Sequence, residues 1–316
     1  MNVIYLHTHD SGRLLQPSRR PVELPGVDRL VSEAVTFTNA FSAAPTCSPS
    51  RGALLTGRYP HENGLVGLAH RGFRSDDYAQ HLAVHLGDSG FETVLCGVQH
   101  VAPSKSEIGY ERILDGPVDY FVRPGLPPWE FDRANAALVA DYLRERHERP
   151  FFLSFGLFST HRPYPRSDRD RSGVDYSRLP SEVPDAEEAH RDADRLCASL
   201  RVVDEIVDGV VECLKACELW EESIVLLTTD HGPAFPRVKA TLRDGGIGVS
   251  LVLRIPGEAG DGRIEPALVS QIDLYPTLCD ALGIVKPERL SGKSLWRLLR
   301  GESDGVRRCL FAETNY

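Results

Sequence analysis

The stretch SIVLLTTDHG, residues 223–232, is an apolar run that reads as a buried strand and stops abruptly at Asp230 and His231. Three other apolar runs also end in polar residues: NVIYLHTHD (2–10), ETVLCGVQH (92–100) and FFLSFGLFSTH (151–161). Segments with helical spacing lie between them, over residues 76–92, 133–150 and 193–219. The alternation of strands and helices predicts an α/β protein with a layered sheet.

The polar residues that close these four runs are the first indication of function. They are His9, Asp10, His100, His161, Asp230 and His231. Because ligands of open α/β sheets bind beyond the carboxyl ends of the strands, we expect these residues to converge on one site. Taken singly, each aspartate could cap a turn and each histidine could be a hydrogen-bonded core residue. Four strand ends that behave alike favour a shared metal or catalytic site, since a carboxylate beside apolar sequence is costly unless paired.

Composition limits the classes of protein that need be considered. The chain has 316 residues, of which 41% are hydrophobic, and this size fits one large domain. Its formal charge of -9 argues against a nucleic-acid partner. The start MNVIYLHTHDSG lacks the features of a signal peptide, and no apolar run reaches the roughly 18 residues of a membrane span, so we expect a cytoplasmic protein without a membrane partner. The seven cysteines predict no disulfide framework.

One cysteine stands in an unusual segment, CSPSRGALLTGRYPHENG, residues 47–64. Cys47, Pro49 and Arg51 form a Cys-x-Pro-x-Arg core, which Leu-Thr-Gly-Arg extends at 55–58. A thiolate nucleophile at a helix N-terminus is one interpretation of Cys47, but it leaves the extension unexplained. The whole segment resembles the signature of the sulfatase family, in which a modifying enzyme converts the cysteine to formylglycine.

The resemblance continues along the chain in the family's order. The matching segments are FSTHRPYP (158–165), LLTTDHG (226–232), VKATLRDGGIGVSLVLRIPG (238–257), SQIDLYPTLCDALGI (270–284) and LSGKSLWRLLRGE (290–302). This similarity implies an alkaline-phosphatase-like sandwich of helices around a large, mostly parallel central sheet. It also implies that residues 1–316 form a sulfatase catalytic domain whose smaller C-terminal subdomain is largely missing, since relatives continue past CLFAETNY.

The resemblance also implies a metal site. Its ligands are His9, Asp10, Asp230, His231 and the modified Cys47. The expected ion is Ca²⁺, with Mg²⁺ or Mn²⁺ left open because histidine is among the ligands. His9 stands where most members of the family have a second aspartate, so it either binds the metal or orients its neighbour.

Catalytic roles follow from the same resemblance. The hydrated formylglycine attacks sulfur, and His100 matches the base that deprotonates its second hydroxyl and so expels sulfate. Arg51 holds the hydroxyl oxygens, whereas His161 and Lys239 match residues that contact sulfate and protonate the leaving oxygen. One departure from the family is Val98, which replaces an expected lysine in the segment GVQH.

The predicted function is hydrolysis of sulfate esters or N-sulfates in a small substrate such as a sulfated sugar. The segments HTHDSG and GVQH are most similar to bacterial members near the heparan N-sulfatases. The implied protein partner is the formylglycine-generating enzyme. Two alternatives stay open: a phosphodiesterase or phosphonate monoester hydrolase of the same superfamily, and a truncated relative that binds sulfated ligands without turnover.

Overall fold

The computed structural model describes residues 1–116, 120–121, 125–165, 173–258, 260 and 262–314. Its strands are β1 Asn2–Thr8, β2 Val35–Phe41, β3 Glu92–Gly97, β4 Arg112–Ile113, β5 Phe151–Gly156, β6 Ser223–Thr229, β7 Leu251–Arg254 and β8 Ile264–Ser270. Its α-helices are α1 Pro25–Ser32, α2 Cys47–Thr56, α3 Pro60–Asn63, α4 Leu82–Asp88, α5 Pro128–Leu143, α6 Glu187–Ala216, α7 Asp244–Ile247, α8 Leu274–Leu282 and α9 Trp296–Leu299.

All these strands belong to one sheet, in the order β4-β3-β5-β1-β6-β7-β2-β8. Only β7 runs antiparallel to its neighbours, so the predicted mostly parallel sheet is confirmed. At the centre, β1 pairs in register with both β5 and β6, which brings His7 beside Gly156 and Thr8 beside Thr229. The carboxyl ends of these strands therefore lie together at one edge of the sheet.

Two layers of helices cover the sheet, and strand β1 shows why. Its alternate side chains enter different cores: Ile4 and Leu6 pack on one face, and Val3 and Tyr5 on the other. The first core is closed by α1, α5 and α6, and the second by α2, α4, α8 and α9. Because both faces are covered, the central strands are apolar throughout, which is why they appear as unbroken apolar runs in the sequence.

The helical prediction for residues 76–92 is right in kind but too long. A short 3₁₀ turn at Tyr78–Gln80 precedes α4, and each has its own cap. The carboxylate of Asp77 accepts the N–H of Ala79, and the imidazole of His81 accepts the N–H of Ala83. Two caps in close succession end one helical turn and start the next. Within the described ranges, no helix combines the length and the apolar character needed to cross a membrane.

Candidate active site

Cys47 is the first residue of α2, which begins after the loop that follows β2. Its side chain is buried, and its Sγ lies 3.3 Å from Nε2 of His231. Burial raises the pKa of the Cys47 thiol well above its ordinary value, although Lys239 acts in the opposite direction. The thiol is therefore protonated at neutral pH, which argues against the alternative interpretation of Cys47 as a thiolate nucleophile.

Two buried carboxylates lie beside Cys47, at the ends of β1 and β6. The backbone N–H groups of Asp10 and His231 both donate to Oδ1 of Asp230, each at 2.9 Å. Asp10 itself has a left-handed backbone, with φ of 47°. A non-glycine residue adopts this conformation only where its surroundings hold it, and such residues are concentrated at functional sites. The two strand ends thus fix both carboxylates in one place.

Arg51 lies one helical turn after Cys47 and is almost completely buried. Its Nε donates to Oδ2 of Asp230 at 3.2 Å, and its Nη2 donates to the carbonyl of Thr8 at 2.8 Å. Its Nη1 contacts Nδ1 of His7, a residue that the sequence analysis missed. The only signal for His7 was a polar residue inside the apolar run of β1. Arg51 therefore joins α2 to the two strands that carry the carboxylates.

His9 has the character of a metal ligand. It is completely buried and its Nδ1 lies 3.0 Å from Oδ2 of Asp230, whereas its Nε2 has no hydrogen-bond partner among the residues that the structure describes. One ligand atom from each of His9, Asp10, Cys47 and Asp230 lies within 4.8 Å of the others. Burial lowers the pKa of His9 well below its ordinary value, so the imidazole is neutral. A neutral imidazole that contacts one carboxylate and lies close to a second fits a divalent cation.

His231 and Lys239 complete this cluster. The Nδ1–H of His231 donates to the carbonyl of Gly232 at 2.9 Å, and its Nε2 is directed towards Cys47 and Asp10. Nζ of Lys239 bonds both carboxylate oxygens of Asp10, at 2.9 and 2.7 Å. The structure thus brings together all five residues predicted to bind the metal and places Lys239 directly beside them.

His100 and His161 also lie beside His9, and one ring nitrogen of His100 is within 4.8 Å of Sγ of Cys47. The ring of His100 is 5.9 Å from that of His9 between centroids, and the ring of His161 is 5.8 Å from it. Burial lowers the pKa of both histidines, so both are neutral at pH 7. Nδ1–H of His161 donates to the carbonyl of Arg162 at 2.7 Å, so its Nε2 lacks a proton. The two predicted catalytic histidines therefore lie next to the residues predicted to bind the metal.

A further histidine, His70, was not foreseen from the sequence. Its Nδ1 shares a hydrogen bond of 2.8 Å with Nε2 of His100, and its ring is parallel to that of Phe121. Phe121 also stacks on His100, with 3.7 Å between the centroids. His70 comes from the loop after α3, where the sequence shows no periodic pattern, so nothing in the sequence indicates that it reaches His100.

Val98, at the position of the expected lysine, lies in an apolar cluster. It is completely buried and packs with Tyr120 and Phe158. Its N–H donates to the carbonyl of Gly156 at 3.0 Å, which continues the pairing with β5 beyond the end of β3. The site therefore has an aromatic wall on the side where most members of the family are expected to place an ammonium group.

The family model of the sulfatases matches residues 6–284, so the chain belongs to the sulfatase family. Human N-sulphoglucosamine sulphohydrolase is 27% identical over 89% of this chain and 62% of its own length. Members of the family generally use a formylglycine and a divalent metal. Three of the curated relatives are covered over 54%, 55% and 62% of their length, so the chain spans little more than half of them.

Two solved structures have the same fold. One, in complex with its substrate D-glucosamine-2-N,6-O-disulfate, has a TM-score of 0.74 at 18% identity, with 97% of this chain and 81% of the other covered. The other is the phosphonate monoester hydrolase of Silicibacter pomeroyi, with a TM-score of 0.74 at 19% identity over 96% and 77% of the two chains. These similarities confirm the alkaline-phosphatase-like architecture expected from the sequence.

Proposed function

We propose that this chain hydrolyses sulfate esters or N-sulfates of sulfated sugars, by means of a formylglycine made from Cys47 and a divalent cation. The observation that carries the proposal is the position of Cys47: its Sγ lies at the start of α2 within the cluster of His9, Asp10 and Asp230. The names of relatives support the choice of substrate, because one acts on N-sulphoglucosamine and a structural neighbour binds a disulfated glucosamine.

The proposed metal ligands are the carboxylates of Asp10 and Asp230, the imidazoles of His9 and His231, and the modified residue 47. When bound, a divalent cation supplies Lewis acidity that stabilises negative charge on oxygen atoms in the site. Ca²⁺ is the proposed ion because the carboxylates provide hard oxygen ligands. The imidazoles make Mg²⁺ or Mn²⁺ the alternatives to be compared with it.

The formylglycine, as its hydrate, supplies one hydroxyl for attack on sulfur and a second whose deprotonation releases sulfate. His100 is suited to accept that proton, because its buried imidazole is neutral. Arg51 provides a fixed positive charge beside residue 47, held by Asp230 and by the carbonyl of Thr8. The side chains needed to accept the proton and to stabilise negative charge are therefore preorganised around α2.

Lys239 and His161 are proposed to act at the leaving group. Burial works to lower the pKa of Lys239, but the Asp10 carboxylate bonded to its ammonium group outweighs burial and raises the pKa above its ordinary value. Lys239 is therefore protonated and available as a proton donor. The neutral His161, with its unprotonated Nε2, is proposed to take up a proton from Lys239 or from water and to pass it to the leaving oxygen. A quarter of the Lys239 side chain is exposed, so an incoming substrate can reach it.

The test begins with the modification of Cys47. The protein is produced in a host that makes formylglycine, and the tryptic peptide 30–51, which contains Cys47, is analysed by mass spectrometry. We expect an aldehyde in place of the thiol. Peptide 196–201, which contains the buried Cys197, is the internal control and should keep its thiol. Full activity from protein with an unmodified Cys47 would contradict the proposal.

Substrate preference separates the three candidate functions. Rates are compared on an aryl sulfate, an aryl phosphonate and N-sulfated glucosamine, with the Cys47→Ala variant as the control. A sulfatase should favour both sulfated substrates and lose this activity in the variant. Faster turnover of the phosphonate would support a phosphonate monoester hydrolase. Binding of the sulfated sugar without turnover, by protein that carries the aldehyde, would indicate a silent relative.

A further inference from the structure

Asp132, on α5, is a buried carboxylate with an unusual set of partners. It is completely buried and, among the described residues, accepts hydrogen bonds only from the segment that follows β5. The N–H of Phe158 donates to both of its oxygens, at 2.9 and 2.8 Å, and the N–H of Ser159 donates to Oδ2 at 2.6 Å. The hydroxyl of Ser159 donates to the same oxygen. One carboxylate thus holds two consecutive peptide groups and a side chain.

Hydrogen bonds, rather than an ion pair, hold this carboxylate. No cation among the described residues forms a salt bridge with Asp132, and burial raises its pKa to about 7. A buried carboxylate without a counterion is costly unless hydrogen bonds satisfy its oxygen atoms. The bonds from Phe158 and Ser159 do so, and they are made to a loop rather than to regular secondary structure. The loop is therefore the feature that Asp132 stabilises.

This loop carries His161 and contacts His9. The N–H of His161 donates to the carbonyl of Phe158 at 2.9 Å, and the ring of Phe158 stacks on that of His161 with 4.4 Å between centroids. The same phenylalanine ring meets the ring of His9 edge-on at 5.0 Å, and the hydroxyl of Thr160 donates to the carbonyl of His9. A shift of the loop would therefore move His161 directly and disturb the surroundings of His9.

We propose that Asp132 is a positioning residue that fixes the imidazole of His161 at the leaving-group side of the site. It acts through Phe158 and Ser159 and does not itself contact the substrate. The role in turnover depends on the proposed sulfatase function, whereas the hold on the loop does not. Positioning residues of this kind change activity by about 10- to 100-fold when their hydrogen bonds are lost.

Two variants test the proposal. Asp132→Asn keeps the size of the side chain but turns one acceptor oxygen into a donor that faces the N–H groups of the loop. Ser159→Ala removes only the hydroxyl bond and retains the backbone bonds, so it preserves the fold even where the first variant is unstable. We expect both variants to lower kcat and to change KM less than kcat. In Asp132→Asn the loss of kcat should be about tenfold or more. The loss should be larger for sugar sulfates, which are poor leaving groups, than for activated aryl sulfates.

Asp204→Asn is the matched control. Asp204 is also a buried helical carboxylate that accepts a backbone N–H, from Val27 at 2.7 Å, but it joins α6 to α1. We expect this variant to lose stability without changing the dependence of rate on the leaving group. If all three variants reduced the rates of every substrate equally, Asp132 would have only a structural role and the proposal would be wrong.

Residue-resolved hydrogen exchange gives a readout that needs no activity. The informative amide is that of His161, because neither substitution removes its acceptor, the carbonyl of Phe158. We expect faster exchange at this amide in Asp132→Asn and an intermediate rate in Ser159→Ala, with no change in Asp204→Asn. Unchanged exchange at His161 in folded Asp132→Asn would overturn the proposal. If the wild-type protein lacked sulfatase activity but the exchange changed as expected, the proposed function would fail and the positioning of the loop would stand.

Discussion

The surroundings of Val98 suit the valine that stands here in place of the lysine expected from the family. The family resemblance leads us to expect a lysine at this position, yet the side chain is sealed in an apolar cluster with Tyr120 and Phe158. An ammonium group placed there would have no anionic partner in the cluster. In the free protein no bound sulfate would offset the cost of desolvating this ammonium group. The neighbouring aromatic residues thus accommodate valine and disfavour its replacement by lysine.

We therefore predict that Val98→Lys lowers the free energy of unfolding, by about 2–4 kcal/mol. Denaturant unfolding measures this, and turnover is assayed in the same preparation. Val98→Met is the control, because it adds length without charge and should cost less. A lysine variant as stable as the wild type and faster in turnover would show that the cluster readily opens.

Asp132 also predicts a dependence of stability on pH. Burial raises its pKa to about 7 in the folded state, from an ordinary value near 3.8. Between these values the folded protein binds more protons than the unfolded chain, so this group lowers stability as the pH rises through that window. For each unit by which the pH rises in this window, the free energy of unfolding of the wild type should fall by up to about 1.4 kcal/mol relative to that of Asp132→Asn. Thermal unfolding from pH 4 to 8 measures it, and parallel profiles of the two proteins would contradict the prediction.

At the scale of elements, the ends of β3 and β5 are closely packed near the site. A Cβ atom on Gly156 would lie 1.8 Å from the carbonyl oxygen of Val98, and one on Gly97 would lie 2.1 Å from that of Gly156. Gly97 also has a φ of 77°, which disfavours other residues. The two glycines let the strands approach immediately before the loops that carry His100 and His161.

We predict that Gly156→Ala forces these strand ends apart, lowers stability by about 2 kcal/mol or more and sharply reduces activity. Unfolding and turnover are measured together. Gly209→Ala is the control, because this glycine lies in α6 with open space around its Cβ position, and alanine there should add about 0.5–1 kcal/mol of stability. Wild-type activity in Gly156→Ala would show that the strand ends are not tightly constrained.

The elements also show what the sequence could and could not predict. The apolar runs predicted β1, β3, β5 and β6, because strands buried on both faces leave an unbroken apolar pattern. Their polar ends predicted the convergence of His9, Asp10 and Asp230. His7, His70 and Asp132 were missed because each acts through a contact distant in sequence, such as the 26 residues between Asp132 and Phe158. Nothing in the local periodicity of a chain encodes such a contact.

For the whole molecule, the proposed metal site joins parts of the chain that are far apart in sequence. Asp10 follows β1, Cys47 begins α2 and Asp230 follows β6. The unfolded chain has no such cluster, so a cation that binds to it must stabilise the folded state. Arg51 pairs with Asp230 and Lys239 pairs with Asp10, so these two cations offset part of the negative charge of the cluster.

We therefore predict that Ca²⁺ raises the Tm of protein stripped with a chelator. When the free ion is at 100 times its Kd, the free energy of unfolding should rise by about 2.7 kcal/mol. Differential scanning calorimetry across a Ca²⁺ series, repeated with Mg²⁺ and Mn²⁺, measures the shift and ranks the ions without any assay of activity. Asp10→Asn should abolish the shift, because it removes one of the two carboxylate charges while preserving the shape of the side chain. Asp244→Asn makes the same charge change at an exposed carboxylate paired with Arg13, and it should retain the shift. If Asp10→Asn responded to the ions as the wild type does, the cation would bind elsewhere and the proposed metal site would be wrong.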